Sequence, residues 1–507
     1  MRWVSSAAQV RELDRRLIED AGLPGVAVME VAIQAVAAAI RAHHRDDAAR
    51  GTVVVCGTGN NGGDGWGIAR WLHGWGLPVR VWATGAPRTG TDAATMAAVA
   101  RAVGVSEGPG VHGAALIVDA VFGTGLDRPV DGALREVLEA MRAAQAPVIA
   151  VDLPSGLHAD SGQLLGVCVP AARTVTFGRA KPGLFSGAGL RHRGVLQVVD
   201  IGLDVGPGVH EAVAEWPTAA DLASRWPRRA QGAHKGTSGR LWVVAGSTAM
   251  AGAAVLCCRG ALAAGASLVT LRVPRGAIPR LAALPPEVMV SIGGPGDVLT
   301  SLGVPPGVAV AAGPGLGGGD ALPDALQASL ETLWRQHAGP VVFDADALVG
   351  VGAAADAPRV LTPHPGEAGR LLGRTAAEVE QDRLGSAAAL ADGAVALLKG
   401  PHTVVAAPGH LPSLNDTGGP VLATGGAGDV LTGVIGALLA RGVSARDAAR
   451  LAAWVHGAAG DQLSAARAEG WTASDVAAAI PQAVASLTAA DHRGTEGDAR
   501  LVAADPR

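Results

Sequence analysis

The sequence predicts two different α/β domains in tandem, and three observations carry that expectation. Its 507 residues exceed what one ordinary hydrophobic core organises. Short runs in which nearly every position is apolar read as buried parallel strands alternating with helices. The pattern restarts after a Pro-, Gly- and charge-rich passage over 202–235 that reads as linker and lead-in. Apolar residues make up 49% of the chain and charged residues 17%, a globular composition. The formal net charge of -4 gives no basic footprint for nucleic acid, so any phosphate must be held by local backbone sites.

The elements follow in order. Ser6 with Gln9 makes a capping-box pattern that opens a helix ending near Gly22, and a second helix is expected over 27–41. A strand over 52–56 leads through a Gly-Asn loop to a helix over 66–73. Strands over 79–82, 116–119, 148–152 and 174–177 complete the first half. Two of them end in Asp119 and Asp152, at the carboxyl edge where open α/β sheets bind ligands. In the second half strands are expected over 241–245, 268–273, 308–312, 341–343, 360–362 and 395–398, with a hairpin return over 404–406. Helices over 430–441 and 445–463 follow, the latter with Ser444 as N-cap. The tail after Thr488 is charged and apolar-poor and is expected to fray. Cys56, Cys168, Cys257 and Cys258 form no CxxC pair and read as buried reduced thiols, which suits the cytoplasm. The N-terminus has no signal-peptide core, and the apolar stretch 251–270 is interrupted by Arg259 and glycines, so no membrane span is expected.

The most informative stretch is Leu422-Ala423-Thr424-Gly425-Gly426-Ala427-Gly428-Asp429-Val430-Leu431-Thr432-Gly433. Glycines crowd the approach to an apolar helix, where free amides point at a bound anion. Asp429 then stands beside a phosphate as base for a hydroxyl, which reads as phosphoryl chemistry on a small alcohol. In the first half, Gly57-Thr58-Gly59-Asn60-Asn61-Gly62-Gly63-Asp64-Gly65 contains GxGxxG between a strand and a helix. No acidic residue follows about twenty positions on, so a hydride-transfer Rossmann site is disfavoured and a phosphate-friendly nest remains. Asp119 and Asp152 face the same sheet edge, and Asn61, Asp119 and Ser155 form an oxygen-rich set for a hard cation, with no nitrogen or sulfur set for zinc.

GNNGGDG, DAVFGTGLDRP and DLPSG, followed by Thr174–Phe177 and Lys181, resemble the NAD(P)H-hydrate epimerase family over about residues 1–203. The resemblance implies a Rossmann-like three-layer domain over 1–210. The hydrated cofactor would lie at Asn60, Asn61, Gly62, Gly63 and Asp64, at Gly123, Thr124, Gly125, Leu126, Asp127, Arg128 and Pro129, and at Asp152. It also implies K⁺ on Asn61, Asp119 and Ser155, and Asp152 as the acid/base that interconverts the R and S hydrates. The run Val28-Met29-Glu30-Val31-Ala32-Ile33 departs from the family's MENAG-like pattern.

GPGLG, DADAL, LTPHPGE, LKG and ATGGAGDVLTG resemble the ribokinase-like NAD(P)H-hydrate dehydratases over 219–489, leaving 490–507 as a flexible tail. By that resemblance Ala253, Gly315, His364 and Asp429 contact the hydrated nicotinamide. Lys399, Gly400, Pro401, His402, Thr403 and Gly428 contact the adenine nucleotide, ADP in bacterial fused members, with Mg²⁺. Nothing physical in these residues separates ADP from ATP. Met250 and Gly419 stand where the family usually has Tyr and Asn. Substrates are then NADHX, NADPHX and ADP, with neither nucleic acid nor membrane as partner and a homo-oligomer, tetramer or higher, as the assembly. The Gly-Gly-x-Gly-Asp core serves a small-alcohol kinase as well as a dehydratase, and a non-catalytic nucleotide-sensing scaffold is a third reading.

Overall fold

The computed structural model describes residues 1–203, 211–229, 231–232, 234, 239–296, 299, 301–317, 322–352 and 356–493. The chain divides into two compact units. One comprises Trp3–Val213 with Glu380–Asp382, and the other Ala214–Val379 and the chain from Arg383 on, with Met1–Arg2.

In the first unit the apolar runs become strands β1 (Thr52–Cys56), β2 (Val79–Ala83), β3 (Ser106–Glu107), β4 (Leu116–Ala120), β5 (Val148–Val151), β6 (Arg173–Phe177) and β7 (Val195–Val199). They pair in the order β3-β2-β1-β4-β5-β6-β7, every neighbour parallel. The order reverses between β1 and β4, and a doubly wound sheet opens its ligand crevice at such a reversal. Apolar side chains from both sheet faces are buried under the helices, Val54 and Val118 on one side and Val53 and Ile117 on the other. The capping box at Ser6 and Gln9 is present, and its helix Ala7–Arg15 continues as a π-helical stretch, Arg16–Asp20.

The second unit repeats the logic. Its strands are β8 (Ala214–Trp216), β9 (Arg240–Val244), β10 (Leu268–Val273), β11 (Val288–Ile292), β12 (Ala309–Ala312), β13 (Val341–Phe343), β14 (Arg359–Leu361), β15 (Val395–Leu398), β16 (Val404–Ala406) and β17 (Ser413–Leu414). The parallel run is β11-β10-β9-β12-β13-β14-β15, again reversing next to the first strand, and β16 and β17 extend it antiparallel. The α/β class expected for both halves is what the chain adopts.

Four expectations are corrected. The helix predicted over 66–73 spans Asn60–Gly74, because its glycines serve contact and not a loop: a Cβ on Gly62 would lie 1.9 Å from the Gly57 carbonyl oxygen, and one on Gly65 2.6 Å from the Ala120 Cβ. The helix predicted over 430–441 spans Ala427–Ala440, with Gly433 pressed on the backbone of Cys257, where a Cβ would lie 1.9 Å from the carbonyl oxygen. The passage read as linker contributes β8 and a short helix, Ala219–Ala223, while 204–210, 230, 233 and 235 lie outside the described residues. The frayed tail was placed too early. A helix, Ala473–Arg493, buries Val476, Ile480 and Leu487, and only 494–507 lie outside the description. One helix, Gly25–His43, is long and apolar enough to cross a membrane, but Ile33, Val36 and Ile40 on it are fully buried in the first unit's core.

Candidate functional site

A cavity of about 610 Å³ opens in the first unit at the reversal between β1 and β4. Gly59 caps the helix Asn60–Gly74, so the amides of that helix's first turn start at the cavity wall. Of the residues singled out in the sequence, Asn60, Asn61, Asp64, Gly123, Thr124, Gly125, Leu126 and Asp152 line it. Gly62 and Gly63 are buried behind it, and Asp127, Arg128 and Pro129 are exposed beyond its rim.

Asp152 ends β5 with φ 68°, a left-handed conformation that short polar side chains tolerate best and that structures retain at functional sites. Its Oδ1 accepts from Lys181 Nζ at 2.6 Å and from Thr176 Oγ1 at 2.9 Å. Lys181 is 1% exposed and also donates to the Phe177 carbonyl at 3.1 Å, so the ammonium is locked and Oδ2 is left toward Gly123 and Asn61. Burial pushes the Asp64 carboxyl well above the usual carboxylate range, and the charges of Asp152 and Asp14 add to that. The buried Nδ2 of Asn61 has no hydrogen-bond partner among the described residues. An orphaned donor in a cavity wall is a place for a ligand oxygen.

Behind the cavity Asp119 is fully buried. It accepts from the Ser155 hydroxyl at 2.6 Å and the Ser155 amide at 2.8 Å, and Ser155 Oγ accepts from the Phe122 amide at 2.9 Å. Burial pushes its carboxyl up to about 6 against those bonds. No Lys or Arg pairs with it among the described residues, so the donor set of neutral oxygens and one carboxylate fits a hard monovalent cation.

In the second unit Asp429 sits in the first turn of the helix that Gly426 caps with φ 91°. Asp344, at the end of β13, accepts from Lys399 Nζ at 2.6 Å and from Thr432 Oγ1 at 2.6 Å, one turn beyond Asp429. Lys399 also lies 3.8 Å from Glu367. Burial pushes Asp429 up to about 7, with Asp344 adding and Lys399 opposing. Burial disfavours the Lys399 charge, yet Asp344, Glu367 and Asp429 outweigh it and hold its pKa above the usual lysine value. Asp429 and its neighbours therefore form one electrostatic set, a carboxyl raised toward neutrality near an ammonium held by Asp344.

The structure brings Gly428 to Lys399, whose Nζ would be 3.6 Å from a Cβ there, and Gly315 to Ala253 and Met250. His364 caps its own helix: Nδ1 accepts from the amide of Gly366 at 3.0 Å, and Glu367 answers at the His364 amide at 2.7 Å. Its Nδ1 is thereby an acceptor, and Nε2 lies 3.5 Å from Glu367 Oε1, so both ring nitrogens face the helix's own first turn. Gly400 packs on the Arg383 guanidinium, and His402, at φ 48°, meets the Asn415 carbonyl and the edge of Trp216. Pro401 and Thr403 complete that hairpin turn between β15 and β16.

Two family profiles match the chain: one described as NAD(P)H-hydrate dehydratase over residues 241–482, the other as YjeF-related protein N-terminus over 25–183. The bifunctional NAD(P)H-hydrate repair enzyme Nnr of Moorella thermoacetica is 38% identical over 502 residues, spanning 92% of this chain and 93% of its own. Its Escherichia coli counterpart is 37% identical over 473 residues, spanning 90% and 89%. This chain belongs to the bifunctional NAD(P)H-hydrate repair enzymes. A solved ADP/ATP-dependent NAD(P)H-hydrate dehydratase from Bacillus subtilis, co-crystallised with ATP and Mg²⁺, aligns at TM-score 0.48 and 29% identity over 54% of this chain and 99% of that one. As a bifunctional repair enzyme the chain pairs NAD(P)H-hydrate epimerase with NAD(P)H-hydrate dehydratase, and the kinase and scaffold readings give way to that membership. The ribokinase-like fold expected of the second half agrees with the dehydratase profile.

Three residues at these places have no role assigned from the sequence alone. Asp344 reads as the end of a strand beside the second site and Thr432 as part of the glycine-rich stretch, but nothing in the sequence pairs the two, as their 2.6 Å hydrogen bond does. Asp14 sits in Arg11-Glu12-Leu13-Asp14-Arg15-Arg16, which looks like a solvated charged face, yet it lines the cavity.

Proposed function

We propose that residues 1–210 form the epimerase, interconverting the R and S hydrates of NADH and NADPH, and that residues 219–489 dehydrate the S form while ADP becomes AMP and phosphate. The observation that carries the second half is Asp429, a base poised near neutral pH at a glycine-lined helix start. Asp429 takes the proton of the ring hydroxyl, and the oxygen attacks the terminal phosphoryl group of ADP, whose charge the amides around Gly428 stabilise. The ring nitrogen lone pair expels phosphate, a far better leaving group than hydroxide, and proton loss at the adjacent carbon restores the dihydronicotinamide. Ala253, Gly315 and His364 hold the nicotinamide, and Lys399, Gly400, Pro401, His402 and Thr403 with Gly428 hold the nucleotide.

In the epimerase, Asn60 to Asp64, Gly123 to Pro129 and Asp152 hold the hydrate, and Asp152 moves the proton. Asn61, Asp119 and Ser155 would hold K⁺, which would supply the positive charge that buried Asp119 lacks. Among the described residues no cluster of three His, Cys, Asp or Glu side chains is placed to cage a metal. Mg²⁺ would come with the nucleotide, bound through its phosphates and its own waters. The four free buried cysteines favour a reducing cytoplasm. Exposed Met289, Val290 and Ile292 on the edge strand β11 favour self-association into a homo-oligomer, tetramer or higher.

The test is a mixture of R and S hydrates of NADH with ADP and Mg²⁺. Full recovery of the dihydronicotinamide absorbance is expected. Recovery of the S fraction alone overturns the epimerase assignment, and a stable phosphorylated product overturns the dehydratase mechanism. A second measurement follows from Asp344. Dehydration should rise with pH through about 7 as Asp429 loses its proton. Asp344→Asn removes a like charge and frees Lys399 for Asp429, so that ascending limb should move to lower pH. An unmoved limb refutes the coupling.

A further inference from the structure

Inverting the hydroxyl-bearing carbon next to a ring nitrogen needs two proton transfers, one from the hydroxyl and one to the nitrogen. Asp152 supplies one group. The cavity contains further ionisable side chains: Arg11 and Asp14 from the helix Ala7–Arg15, Asp64 from Asn60–Gly74, Asp92 from Asp92–Ala102, and Lys181 after β6. Lys181 is committed to Asp152. Asp14 makes no hydrogen bond or ion pair among the described residues, whereas Glu12 and Arg15 on the same helix pair with each other at 2.9 Å. A largely buried carboxyl that faces a cavity without an internal partner is placed for something that enters it.

We propose that Asp14 is a second catalytic residue of the epimerase, the proton donor that works opposite Asp152; this rests on the epimerase reading given above. Asp152 accepts the hydroxyl proton, the oxygen electrons close a carbonyl, and the carbon–nitrogen bond breaks. Its electron pair goes to the ring nitrogen, which takes the proton of Asp14. Rotation of the resulting aldehyde and the reverse steps deliver the opposite configuration. Both carboxyl groups return to their starting states, and no oxidant or co-reactant is needed.

Protonation of Asp14 is favoured by its surroundings: burial pushes it up to about 6, Lys181 opposes and Asp152 adds. Like charges crowded in one cavity do not all ionise together.

The experiment uses the full chain with excess ADP and Mg²⁺ and supplies pure R or pure S hydrate. Asp14→Asn should leave S turnover at the wild-type rate and slow kcat for R by about 100-fold or more, the usual worth of a general acid. Asp14→Glu should recover part of that loss. In the wild type, R turnover should fall as pH rises above about 6, and the descending limb should vanish in Asp14→Asn. R turnover within about threefold of wild type, or a loss confined to KM, overturns the proposal. If neither variant folds, judged by fluorescence of Trp66, Trp71 and Trp75 in the same unit, a wild-type profile without the limb overturns it. A wild-type chain unable to consume R while consuming S points to failure of the epimerase reading itself.

Discussion

Asp429→Asn is expected to slow dehydration of the S hydrate by about 10²–10⁴-fold or more while R–S interconversion proceeds unchanged. The amide cannot take the hydroxyl proton, yet it keeps the size of the side chain in the helix Ala427–Ala440, so the helix and its contacts survive. Chromatography of the two hydrates without nucleotide reads epimerisation alone; adding ADP and Mg²⁺ reads dehydration. Parallel loss of both activities refutes separate sites. Because Asp344 and Lys399 hold Asp429 in one electrostatic set, the variant should also let Lys399 titrate at lower pH than in the wild type, as the Asp429 charge no longer supports its ammonium.

Lys181→Met is expected to destabilise the first unit by about 3–5 kcal/mol, the cost of leaving a buried charge without its partner. The ammonium is 1% exposed and bonded at 2.6 Å to a carboxylate that sits near two others, so methionine fills the volume but leaves Asp152 uncompensated. Urea unfolding of the chain measures this. Adding Asp152→Asn should restore much of the loss, since removing both partners costs less than orphaning one. A single variant as stable as wild type at neutral pH would mean that water in the cavity already screens the pair.

Strands were the most legible part of this chain. Leu268–Val273, Val341–Phe343 and Val395–Leu398 begin and end where their apolar runs do, because central parallel strands are buried on both faces. The strand Val288–Ile292 escaped notice because an edge position leaves Met289, Val290 and Ile292 exposed and erases that signature. Helix starts were misplaced wherever glycine stood for contact: at Asn60–Gly74 and Ala427–Ala440 local propensity argues for a loop, and tertiary packing overrides it. Pro481 inside Ala473–Arg493 hid that helix in the same way. The motifs gave the vicinity of both sites. The only non-glycine residues with positive φ among those described are Asp152 and Ala345, inside the motifs DLPSG and DADAL, and His402, two residues beyond LKG. What motifs do not carry is which polar groups answer one another across the fold. Asp14 meets the cavity from a helix far away in sequence, and His364, singled out as a ligand contact, is engaged in capping its own helix.

The glycine contacts beneath the helix Asn60–Gly74 also constrain how the first unit can move. With the Gly62 Cα carbon seated on the Gly57 carbonyl and Gly65 on β4, there is no side-chain cushion over which the helix could slide or roll. Shear motion is closed to it. The rim segment is unlike it: Gly125, Asp127 and Arg128 are exposed, and a Cβ on Gly125 would meet nothing within 4 Å. One wall of the cavity is thus seated backbone on backbone, while the opposite rim has room for larger side chains.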